Sequence, residues 1–132
     1  PLERVGDALA AVFAVTDAQP FGAPVALRYV RASQATLAFT HYAPITCTIE
    51  LPGIDAPHSR EAHRLLENEL QKRALPHTYH WGQVMPLNPQ VVRAGFGDTR
   101  VDAWLKARRG FLSAAGRKLF SNDMLDALGL AE

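Results

Sequence analysis

Cysteine is almost absent from this sequence: among 132 residues there is one, Cys47. A single thiol excludes a disulfide framework within one chain and a Cys-rich zinc site. Excess charge is missing too. Fourteen Lys and Arg stand against 13 Asp and Glu, a net charge of +1. That balance gives no electrostatic reason to expect nucleic acid or an acidic membrane surface as a partner. The longest apolar runs, such as 8–15, are far too short to span a bilayer. No basic segment followed by a long apolar one marks a secretory signal. There is no H-E-x-x-H and no G-x-S-x-G, so neither a zinc protease helix nor a serine nucleophile elbow is expected. "GFGDTR" (95–100) contains Gly-x-Gly but lacks the third glycine. It lies between two helical patterns, not after a strand, which argues against a nucleotide-binding fingerprint. An initiator methionine is also missing. The chain begins Pro1-Leu2-Glu3-Arg4 with an amphipathic pattern at once, and the expectation is the tail of a longer protein, cut at a helix start.

What is present is ordinary globular material: 48% hydrophobic and 20% charged residues, enough to bury a core as one domain spanning 1–132. Leu2, Val5, Leu9, Val12 and Phe13 recur at helical steps, and 17–20 breaks the pattern. "PVALRYVR" (24–31) reads as a strand with Leu27 and Tyr29 on one face and Arg28 on the other. "TLAFT" (36–40) is a weaker strand. "PITCTIEL" (44–51) is the cleanest strand, with Ile45, Cys47, Ile49 and Leu51 on the face to be buried and Thr46, Thr48 and Glu50 on the polar one. Cys47 is expected as a small core residue. Ser59 is placed to cap a helix running to about Ala74, with Ala62, Leu65, Leu66 and Leu70 as its buried stripe and Glu69–Arg73 as a solvent-side pair. "HTYHWGQ" follows as a strand. Asn88-Pro89 opens a short helix, Asp98 caps another, and 121–130 closes the chain as a third with Gly129 near its end. The order predicts an α+β fold: an antiparallel sheet with helices packed on one face and a helical C-terminal tail.

The chemistry-bearing residues concentrate in "HTYHWGQVMPLN" (77–88). On a strand, His77 and His80 face opposite ways, which separates them as metal ligands, so no metal site is expected. Tyr79, Trp81 and Gln83 share one face; His80 and Gly82 share the other. Gly82 suggests close approach of another element or a planar ligand. Ordinary core packing accounts equally for Tyr79 and Trp81. Arg28, mid-strand, is either a solvated surface residue or a partner for an anionic group.

Three stretches carry a resemblance to a known family. "ALRYV" (26–30) resembles an E-x-R-x-V strand. "HWGQ" (80–83) resembles a His-Trp-Gly/Ala-Lys strand that follows a long helix. "LKARRGFLSAAGRKLFSNDMLDALGL" resembles a tail of helix, arginine-containing turn, D-P-x-G-x-F-x-N and short closing helix, with Gly116, Phe120 and Asn122 in order. Over roughly Ala23 to Leu130 the chain thus resembles the C-terminal part of FAD-linked oxidases of the vanillyl-alcohol-oxidase type. The nearest branch is the aldonolactone and alditol oxidases, with flavin-linked cholesterol oxidases as relatives.

The resemblance implies a two-domain flavoprotein in which this chain is the substrate or cap domain. An N-terminal FAD-binding domain, a partner outside this chain, holds most of the FAD. The implied activity is oxidation of a small-molecule alcohol by hydride transfer to flavin, with the isolated chain inactive. Arg28 and His80 are then the catalytic candidates: Arg28 for negative charge, His80 for proton handling or substrate hydrogen bonding. Gln83, Trp81 and Asn122 are the candidates for substrate or cofactor binding, with helix capping an equal use for Asn122. Two positions depart from the pattern. Ala26 stands where the family has glutamate, and Gln83 where it has lysine; a glutamine cannot place a positive charge near the flavin. Both leave the substrate open. The alternative is a non-enzymatic α+β module that binds a ligand or dimerises.

Overall fold

In a computed structural model, described at residues 1–19, 21–86 and 88–131, the chain is α+β: six helices and a two-stranded antiparallel sheet. Pro20, expected in the first break, and Leu87, in the 77–88 stretch, lie outside the described residues. The chain forms two compact units. The first comprises 1–33 and 42–77; the second comprises 34–41 and 78–132.

In the first unit a short 3-10 turn (Leu2–Arg4) leads into α1 (Val5–Ala18). The face that α1 buries is Ala11, Val12 and Val15, while Phe13 is exposed. Positions 11, 12 and 15 therefore set the stripe, and Phe13 lies off it. Strands β1 (Ala26–Arg31) and β2 (Ile45–Glu50) pair antiparallel with Arg28 opposite Thr48 and Tyr29 opposite Cys47. The expected alternation of burial along β2 is not found: Ile45, Thr48, Ile49 and Glu50 are all half-buried. Thr46 is buried, and Cys47 is only half-buried. The reason is local: the Thr46 hydroxyl accepts the Tyr42 N–H at 3.0 Å and donates to the Tyr42 carbonyl at 3.1 Å. A threonine whose hydroxyl is satisfied in this way can be buried cheaply.

Helix α2 spans Pro57–Lys72. It starts two residues before the expected Ser59 cap. Proline at the first helical position has its φ already set and no N–H to lose, and the Ala56 carbonyl accepts the Arg60 N–H. Ser59 is instead a buried residue inside the helix. Ala62 is buried beside it, Leu65, Leu66 and Leu70 are half-buried, and the Glu69–Arg73 pair forms at 2.7 Å.

The second unit is helical. Asn88 caps α3 (Pro89–Phe96), its side chain accepting the Gln90 N–H at 2.8 Å. Gly97 (φ 82°), not Asp98, caps α4 (Asp98–Phe111). The positive φ suits glycine. The Asp98 carboxylate meets Arg93 at 2.6 Å. Ser113 caps α5 (Ala114–Leu119), and α6 spans Asp123–Ala127. After α6, Gly129 (φ 69°) donates to the Asp126 carbonyl and Leu130 to the Leu125 carbonyl, the paired bonds of a Schellman stop. The buried core here is Val92, Phe96, Val101, Leu105, Leu128 and Leu130. The tail is tied to α4 by Arg108, which donates to the carbonyls of Arg117 and Phe120 and to the Ser121 hydroxyl at 2.7 Å.

Two expected strands are not strands. In 36–40, the carbonyls that a neighbouring strand would use are taken by side chains: Thr78 donates to Phe39, Trp81 to Leu37, and Arg100 to Ala35 and Thr36. In 77–83, the chain turns on itself, with the Gln83 N–H donating to the His80 carbonyl at 3.2 Å.

Candidate functional site

The 78–83 turn is the center of the candidate site, and it divides sharply into anchors and exposed groups. Trp81 is an anchor. Its indole stacks on Phe96 with centroids 5.1 Å apart and planes 13° apart, and its Nε1–H donates to the Leu37 carbonyl at 2.8 Å. Thr78 is the second anchor, donating to the Phe39 carbonyl at 2.7 Å. Both bonds lace the turn to 34–41, and Arg100 holds that segment from α4. Trp81 thus takes the packing role that the sequence had left open.

His80 and Gln83 are exposed. The His80 Nδ1 accepts the Gly82 N–H at 3.1 Å, and its ring meets Phe39 edge-on at 4.8 Å. The close approach at Gly82 is therefore made by the His80 ring; a Cβ there would lie 3.4 Å from the ring's Cε1. Because 77–83 is not a strand, alternation does not separate His77 from His80. Each ring has its own partners instead. His77 Nδ1 lies 2.7 Å from the Leu75 carbonyl and its Nε2 3.4 Å from Glu67. Among the described residues no group of three or more His, Cys, Asp or Glu is placed to hold a metal ion.

The other candidates have local settings of their own. Arg28 belongs to the first unit, where its guanidinium is 2.9 Å from Glu50 and the side chains are 67% and 43% exposed. It shares the Thr48 face of the sheet, as the strand reading required. Asn122 caps α6, its side chain accepting the Leu125 N–H at 2.9 Å. It also edges an open concavity of about 400 Å³ with Arg117, Lys118, Ser121, Asp123, Asp126 and Ala131. A second cavity, of about 10 Å³ under His63 and Phe21, has room for about one water. Neither is lined by His80, Trp81 or Gln83; in the 78–83 turn His80, Gly82 and Gln83 are exposed.

Burial is the leading cause of a titration shift at two side chains, His41 and Cys47. Burial holds His41 below its ordinary value, with Arg100 adding to the effect and a hydrogen bond to the Ala38 carbonyl opposing it. Burial also pushes the Cys47 thiol up, which disfavours the nucleophilic thiolate. The residues that sequence reading missed are Phe39, Thr78 and Arg100. Their bonds join positions 39 to 65 apart in the chain, and no local pattern encodes such pairings.

No family model, curated protein or solved structure matches the chain. No helix among the described residues is long and apolar enough to cross a membrane.

Proposed function

We propose that this chain is the substrate-side part of an FAD-dependent oxidoreductase that oxidises an alcohol, with a separate flavin-binding domain completing the site. The observation that carries the reading is the 78–83 turn. Two exposed hydrogen-bonding side chains, His80 and Gln83, flank a tryptophan anchored by a stack and a hydrogen bond. A rigidly backed, open polar wall is what half of a two-part site requires. The motif order around "HWGQ" and the "GRKLFSN" tail supports the same assignment.

The donor set fits flavin and an alcohol. Gln83 offers one acceptor and two donors, and His80 offers a ring nitrogen without a partner among the described residues. A phosphate cradle is not part of this fit: Gly97 sits between α3 and α4 and serves as a helix cap. Holding the dinucleotide therefore falls to the other domain. Bound flavin supplies the hydride acceptor. His80 and Gln83 orient the substrate oxygen, and Trp81 keeps them in place. Arg28, in the first unit, is the cation proposed for an anionic group, its pair with Glu50 being solvent-exposed.

The test is the polypeptide that joins this chain to a flavin-binding domain. It should be yellow when purified and bleach when an alcohol substrate is added without oxygen, while the 132-residue chain alone stays colourless. Flavin held tightly by the 132-residue chain, or a longer polypeptide lacking flavin, would refute the assignment. A second reading, a non-enzymatic dimerisation module, draws on the exposed Leu27, Tyr29 and Val30 of β1. Sedimentation of the chain as a monomer at all concentrations would remove it.

A further inference from the structure

We infer that His80 is a hydrogen-bond donor fixed in its Nε2–H form, so that it takes an oxygen acceptor from a ligand and does not remove a proton. The ligand class is a carbonyl, alcohol or carboxylate oxygen. Only the identity of the molecule bearing that oxygen rests on the flavoprotein reading above.

A neutral imidazole has one N–H and one lone pair, and the partner of one nitrogen decides the state of the other. The partner here is a peptide N–H, that of Gly82, 3.1 Å from Nδ1. A peptide N–H can only donate, so Nδ1 must accept and the proton sits on Nε2. His80 is exposed, and Nε2 has no partner among the described residues. The donor is therefore open to a ligand.

The ring plane is held separately from the tautomer. Phe39 meets it edge-on, with planes 65° apart. Phe39 packs against the second unit's core, and its carbonyl is clamped by Thr78. The Gln83 N–H donates to the His80 carbonyl, which ties the two exposed side chains into one turn. Gly82 and Thr78 are positioning residues in this arrangement.

A general base needs a lone pair at the atom facing its substrate. Nε2 has none in this form. Moving the proton to Nδ1 would break the Gly82 bond and turn two N–H groups toward each other. An alcohol held by His80 thus receives a hydrogen bond at its oxygen and keeps its own proton clear of His80.

The tautomer can be read on the 132-residue chain by long-range proton–nitrogen correlation spectra of ¹⁵N-labelled protein at alkaline pH. His80→Gln assigns the signals by their loss. The expected pattern is a protonated Nε2, an unprotonated Nδ1 and a scalar coupling between the Gly82 nitrogen and Nδ1. A protonated Nδ1, or two averaged nitrogens, would overturn the inference. Thr78→Val should disturb the Phe39 ring-current shift on His80 and leave the tautomer unchanged. In the longer flavoprotein, His80→Ala should raise KM more than it lowers kcat, whereas losing a general base would lower kcat about 10²–10⁴-fold. A colourless full-length protein would refute the flavin assignment and leave the tautomer standing; a mobile tautomer would do the reverse.

Discussion

Replacing Trp81 by alanine removes two anchors of the 78–83 turn at once, and the structure allows their sizes to be separated. Full truncation of a buried tryptophan costs about 3–5 kcal/mol. Trp81 is half-buried, so its packing, including the 5.1 Å stack on Phe96, is worth about 2 kcal/mol. The Nε1–H bond to the Leu37 carbonyl at 2.8 Å adds about 1 kcal/mol. Trp81→Ala should therefore cost about 3 kcal/mol, or a fall in Tm of about 10 °C for a chain of this size. Trp81→Phe keeps an aromatic stack and loses only the bond, at about 1 kcal/mol. His80→Ala, at an exposed position, should cost about 0.5 kcal/mol or less. Urea unfolding followed by Trp104 fluorescence reads these differences, because Trp104 packs on the same core. Equal losses for His80→Ala and Trp81→Ala would refute the division into anchor and exposed group. Equal losses for Trp81→Phe and Trp81→Ala would show that the hydrogen bond, and not the stack, holds the turn.

Three further outcomes are expected. Arg28→Ala should change stability by less than about 0.5 kcal/mol, since its pair with Glu50 is solvent-exposed; a larger loss in urea unfolding would mean that the sheet depends on it. Asn122→Ala should cost about 1 kcal/mol by removing the α6 cap, while Asn122→Ser should recover most of that loss. His41 gives a pH dependence with a definite sign. Burial depresses its folded value below 6.5, so the unfolded chain binds the proton more readily. The stability it contributes is complete above about pH 6.5 and is lost as pH falls through the folded value. Urea midpoints of the native chain and of His41→Phe should converge on acidification; parallel curves would contradict the assignment.

The sequence revealed the elements that carry their own signals. Proline after Asn88 marked α3, and alternation marked β1 and β2. It failed where the backbone is satisfied from a distance. Residues 36–40 have strand-like composition, yet their carbonyls are claimed by Thr78, Trp81 and Arg100. Propensity describes a surface that packs, not which partner arrives. At Thr46, polarity suggested exposure, and two bonds to the Tyr42 backbone reversed it. Trp81 and Gln83 were expected on one face; the turn buries part of the first and exposes the second. The candidate residues were legible as types, but the division of labour among them depended on a turn that no periodicity announces.

That turn also explains how stability and recognition can be separated within four residues. A strand would couple them, since His80 and Trp81 would then share the ladder bonds that hold the sheet. Here the Trp81 side chain reaches the core and the Leu37 carbonyl, while the peptide groups of 80–83 satisfy one another and the His80 ring. The His80 ring accepts one of those N–H groups at an exposed position, where water can replace it, and the Gln83 side chain is exposed, so both add little to folding. His80→Gln and Gln83→Lys should then leave the urea midpoint nearly unchanged, even in combination. Gln83→Lys places a positive charge in the turn that carries the exposed His80. In a polypeptide that joins the proposed flavin-binding domain to this chain, it should shift substrate preference, or the salt dependence of turnover, without altering the unfolding curve. A loss of stability in that double variant would show that recognition at this wall is bound to the fold after all.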